Sequence, residues 1–92
     1  MPKYMIISDT LKKADIAYRA AINTLYPHVI RAERSPLRTI KIDDTYLYFT
    51  DCNTWNARYK TYYRNMLVVR DTNMGGILHE LRNRKLKVGK TK

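Results

Sequence analysis

Residues 4–25, YMIISDTLKKADIAYRAAINTL, decide the fold. Tyr4, Met5, Ile6 and Ile7 are aromatic, β-branched or otherwise apolar and stop at three small polar residues, so the run reads as a short buried strand. Ser8, Asp9 and Thr10 each carry an oxygen that can accept from the free N–H groups at a helix start, which places a helix from about Leu11. Leu11, Ala14, Tyr18, Ala21, Ile22 and Leu25 then recur at helical spacing, while Lys12, Lys13, Asp15, Arg19 and Asn23 fall mostly elsewhere. Pro27 ends the helix, because proline disfavours helical geometry in the residue before it. A strand that passes directly into an amphipathic helix implies helices packed on a sheet.

Working outward, Val29, Ile30, Arg31 and Ala32 suit a second strand, followed by a turn around Ser35 and Pro36. Thr39 to Ile42 alternates polar and apolar residues, and Tyr46, Leu47, Tyr48 and Phe49 favour a strand on both sides of the pleat. The polar stretch Asp43, Asp44 and Thr45 between them suits a tight antiparallel turn, so a hairpin is expected. Residues 52–64, CNTWNARYKTYYR, have no apolar period and fit a loop or a short helix. Met66 to Val69 is the most strand-like run in the chain, ended by Asp71, Thr72 and Asn73. Gly75 and Gly76 read as a break, followed by a short helix on Ile77, Leu78 and Leu81. The expected fold is α/β or α+β. It has one small domain over residues 1–81, with a mixed sheet of about four strands and two helices in the order β-α-β-β-β-α. Residues 82–92 carry six basic residues and no acid, and read as a flexible basic tail.

Composition limits the function. The 92 residues carry a formal charge of +10, and 45% of them are hydrophobic, close to the globular average. One cysteine makes neither an intramolecular disulfide nor a multi-cysteine zinc site, which points away from a stapled secreted fold and a zinc finger. The apolar runs are too short for a membrane span or a signal-peptide core, so a cytoplasmic protein with no membrane partner is expected. Residues 1–51 hold eight basic and six acidic residues, a net of +2, whereas residues 52–92 hold ten and two, a net of +8. A field of that sign attracts DNA, RNA or an acidic protein face.

Three constellations could carry chemistry. Trp55, Tyr59, Tyr62 and Tyr63 interleave with Arg58, Lys60 and Arg64, the residue types that hold single-stranded nucleic acid through phosphate contacts and base stacking. The same rings could equally cover the sheet, which is what most aromatics do. Arg31, Arg34 and Arg38 are spaced to clamp phosphate, but Glu33 lies among them and a surface ion-pair group is the simpler account. Asp9, Asp51 and Asp71 each follow a predicted strand and could converge on a divalent cation, although each also fits a cap or a turn. His28 and His79 stand alone, Cys52 has no neighbouring base, and GxxxxGK followed by Ser or Thr is absent, so no catalytic residue, metal or cofactor is assigned.

Residues 4–25 together with TIKIDDTYLYFT (39–50) and MLVVRDT (66–72) resemble, in order and texture, part of the RecA-like core of viral packaging motors and related helicases. The phosphate-binding loop of that family is missing, and Asp71 is followed by Thr72 where an acidic pair is expected. The resemblance therefore implies a small phage-type accessory protein on a reduced version of that sheet, not an ATPase. The leading reading is a non-enzymatic nucleic-acid-binding protein using Trp55, Arg58, Tyr59, Lys60, Tyr62, Tyr63, Arg64, Arg82, Arg84, Lys85 and Lys87, with Lys3, Lys12, Lys13 and Arg19 dispensable. The alternative is a viral inhibitor or adaptor docked on an acidic surface of a host nucleic-acid enzyme. A metal-dependent nuclease using Asp9 and Asp71 comes third.

Overall fold

A computed structural model describes residues 3–34, 37–61 and 65–90, the last six as backbone only. It is an α+β domain whose five-stranded mixed sheet has the order β2-β3-β4-β1-β5. The strands are β1 (Lys3–Ser8), β2 (Arg31–Glu33), β3 (Arg38–Ile42), β4 (Thr45–Asp51) and β5 (Leu67–Arg70). Helix α1 (Leu11–Leu25) follows β1, the one-turn α2 (Cys52–Thr54) follows β4, and α3 (Met74–Lys90) ends the described chain. β1 lies between β4 and β5 and runs parallel to both, while β2, β3 and β4 form an antiparallel meander.

The expected start of α1 is met by Thr10, whose Oγ1 accepts from the Lys13 N–H at 3.1 Å. Ala14, Ala17, Tyr18, Ala21 and Leu25 form its buried stripe. Ala17, Tyr18, Ala21 and Leu25, with Leu78 and Leu81 of α3, cover one face of the sheet, where Ile6, Ile40, Ile42, Leu47 and Phe49 point inward. Tyr18 meets Phe49 edge-on, with ring centroids 5.7 Å apart. The expected hairpin forms, with a loop of two residues rather than the three-residue polar stretch, since Thr45 pairs with Ile42 and belongs to β4. Asp43 has a φ of 55°, a left-handed conformation that aspartate tolerates better than most residues.

Strand alternation sends Met5 and Ile7 to the other face, where Leu37 joins them under a cover that includes Trp55, Tyr59 and Met66. Residues 55–59 form one wide π-helical turn continuing α2, so residues 52–59 of the segment that fits a loop or a short helix are helical.

The strand expected before Arg70 forms as β5 at the edge of the sheet, beside β1, with Leu67 58% and Val68 45% exposed. Two expectations change. Gly75 and Gly76 do not break the chain: they sit in the first turn of α3, where the three-residue turn Asp71–Asn73 leads the backbone into the helix. The helical backbone then runs on to Lys90, so the boundary expected after residue 81 falls inside α3. The described residues form five strands and three helices, roughly the four strands and two helices expected. The turn expected at Ser35 and Pro36 lies outside the described residues. No described helix is long and apolar enough to cross a membrane.

Candidate nucleic-acid interface

Because β1, β4 and β5 are parallel, their C-terminal ends lie together, and with them Asp9, Asp51 and Arg70. Arg70 organises this end. Its guanidinium donates to Asp9 Oδ1 at 2.5 Å and to the Cys52 Sγ at 3.3 Å. The hydrogen bond from Arg70 and its positive charge, with a further contribution from Lys13 at 3.7 Å, hold the Asp9 carboxyl below its usual range. Asp51 is spent on α2, accepting the Thr54 N–H at 3.2 Å. Burial pushes its pKa up, but hydrogen bonds from Thr54 and the backbone outweigh that and leave it lowered. Asp9 and Asp51 are thus engaged locally. Among the described residues no group of three or more His, Cys, Asp and Glu side chains could hold a metal ion. The buried Ser8 Oγ between them has no hydrogen-bond partner among the described residues.

Beside this end opens a cleft of about 460 Å³. Leu11, Leu37 and Phe49 give it an apolar floor, and Arg38, Arg58 and Tyr59 form part of its wall. Leu11, read as part of the apolar stripe of α1, is 52% exposed because it faces this opening rather than the core. The wide turn presents the polar wall. Trp55 and Tyr59 are half-buried against the Met5, Ile7 and Leu37 cluster, while Arg58 and Lys60 stand exposed. Residues 52–70 contain no acid, so this turn has no carboxylate of its own to neutralise Arg58 or Lys60.

The expected site residues therefore divide. Trp55, Arg58, Tyr59 and Lys60 are brought together, with both rings partly serving as sheet cover. Arg82 and Arg84 stand exposed on α3, the helix packed against the opposite face. Arg84 donates to Glu80 at 2.9 Å and lies near Tyr4 and Asp44, at the far end of the sheet from the cleft. Tyr62, Tyr63 and Arg64 lie outside the described residues, as do the side chains of Lys85 and Lys87. Arg38 and Arg70 were not singled out for this end from the sequence, since only the order of the strands places them there. Arg31, Arg34 and Arg38 form no phosphate clamp: Arg34 and Arg38 reach Asp15 at 2.7 and 3.0 Å, and Arg31 reaches Glu33 at 2.6 Å. Comparison with known proteins finds no matching family model, no matching curated protein and no matching solved structure.

Proposed function

We propose that this chain is a non-enzymatic nucleic-acid-binding module. The observation that carries the reading is the cleft in which Arg58 and Tyr59, from a turn free of acids, stand over an apolar floor, with Arg38 on its wall already paired to Asp15 at 3.0 Å. An apolar slot of a few hundred Å³ bounded by a ring and the Arg58 guanidinium suits an unstacked base with its phosphate. Lys60 beside it and the basic second half of the chain supply the wider field that draws in a polyanion. Arg82, Arg84, Lys85 and Lys87 contribute to that field from α3. The reduced-sheet resemblance to phage motor proteins is compatible with such a role in a host cytoplasm.

Fluorescence anisotropy with labelled 20-mers of single-stranded DNA, single-stranded RNA and duplex DNA tests the proposal. Log affinity is expected to fall linearly with log salt between 50 and 300 mM, by roughly 0.7 per phosphate contacted on a single strand. A flat salt dependence, or no shift of any 20-mer near physiological salt, sinks it. The β5 edge favours a second reading, an adaptor for a protein partner, because Leu67 and Val68 expose apolar side chains beside an unpaired strand edge. Affinity purification decides between the two: a stoichiometric protein retained after nuclease treatment supports the adaptor, and its loss supports the nucleic-acid module.

A further inference from the structure

The sheet register sets up a second surface on the face that carries the Trp55 turn. Arg31 pairs with Lys41, Lys41 with Tyr46, and Tyr46 with Lys3. Paired residues in adjacent strands share a face, so these four side chains stand in one row across β2, β3, β4 and β1, roughly 14 Å from end to end. The next row carries Glu33, Thr39, Tyr48 and Met5. Tyr46 and Tyr48 stack, with ring centroids 6.1 Å apart and planes within 12° of parallel. The Lys41 ammonium sits 5.4 Å from the Tyr46 ring centroid. An open groove of about 210 Å³ runs between β2 and the two tyrosines.

We infer that this tyrosine-and-lysine row is a stacking platform for single-stranded nucleic acid, at the end of the sheet away from the cleft. The inference rests on the nucleic-acid reading and extends it to the first half of the chain. Bases stack on the Tyr46 and Tyr48 column, and Lys3 and Lys41 take the flanking phosphates. Arg31 contributes less, because Glu33 neutralises it at 2.6 Å, and Asp43 and Asp44 bound the platform at the hairpin turn. Tyr48 joins the platform to the turn, since it packs on the same Met5, Ile7 and Leu37 cluster as Trp55 and Tyr59. A flat sheet face reaches base faces only when the bases are splayed out, which selects a single strand over a duplex. The row makes Lys3 a contact, against the expectation from charge distribution that it is dispensable.

The test uses the full chain, labelled (dT)20 and a 20-base-pair duplex, with Lys3→Ala/Lys41→Ala, Tyr46→Ala and Tyr46→Phe variants checked by circular dichroism. Removing two phosphate contacts is expected to flatten the slope of log affinity against log salt by about 1.4. Tyr46→Ala is expected to weaken (dT)20 binding about fivefold or more, while Tyr46→Phe, which keeps the ring, stays near wild type. Should Tyr46→Ala not fold, the slope of the lysine pair decides alone. Duplex bound as tightly as (dT)20, or both lysine and tyrosine variants binding like wild type, overturns the platform and leaves the cleft standing. Wild-type protein that binds no oligonucleotide overturns both.

Discussion

Asp15 shows how one carboxylate can determine what a cluster of arginines does. It sits on α1 with its side chain 19% exposed, accepts from Arg34 at 2.7 Å and Arg38 at 3.0 Å, and has Arg19 at 3.1 Å. The hydrogen bonds from Arg34 and Arg38 hold its pKa at about 2, below the ordinary 3.8. A carboxylate whose folded pKa is depressed stabilises the fold above its unfolded pKa and loses that contribution as pH falls through the folded one. The window is therefore about pH 4 down to about pH 2. Asp15→Asn is expected to be less stable than wild type at pH 6, with the difference closing towards pH 2, in urea denaturation across that range. A difference that stays constant down to pH 2 means the ion pairs are not its source. None of this could be read from spacing: Arg34 and Arg38 lie 19 and 23 residues from Asp15, and only β3 packing beside α1 brings them together.

At the scale of elements, what the sequence made legible was whatever is decided within a few residues. Ser8, Asp9 and Thr10 mark the start of α1, Pro27 its end, and Asp43 and Asp44 the loop whose length sets the register of the hairpin. What depends on distant pairing was not legible. The run Leu67, Val68 and Val69 has the composition of a buried strand, yet its exposure is set by position in the sheet, and β1 leaves it the edge. Lys41 opposite Tyr46 was derivable in principle, because a two-residue loop between alternating strands fixes that pair. Gly75 and Gly76 misled for a different reason: glycine lowers helix propensity but does not forbid a helix that packs Leu78 and Leu81 on a core. A Cβ added at either glycine meets nothing within 4 Å. Gly75→Ala/Gly76→Ala is accordingly expected to raise stability by ~0.5–1 kcal/mol per residue, through less unfolded-state entropy and better helix propensity. Chemical denaturation measures it, and a loss of stability would show that these positions need glycine's backbone freedom.

For the whole molecule, the uneven charge along the chain becomes a question of faces. The fold distributes the +8 of the second half over both sides of the sheet: Arg58 and Lys60 on the turn covering Met5 and Ile7, Arg82 and Arg84 on the helix packed over Leu47 and Phe49. Fields from exposed charges are screened beyond roughly 8 Å at physiological ionic strength, less than the thickness of a sheet with its two covering layers. Net charge and local site then make different demands. Arg58→Glu/Lys60→Glu and Arg82→Glu/Arg84→Glu change the total charge by the same amount, on opposite faces. A ligand held only by the overall field loses affinity equally in both. A ligand seated in the cleft and on the Tyr46 platform loses at least tenfold more from the turn pair, because contacts as well as field are removed there. Affinity for labelled (dT)20 at 150 mM salt measures the ratio in variants whose circular dichroism matches wild type. Equal losses would return the protein to a nonspecific basic surface, and a larger loss from the α3 pair would move the binding face to the helices.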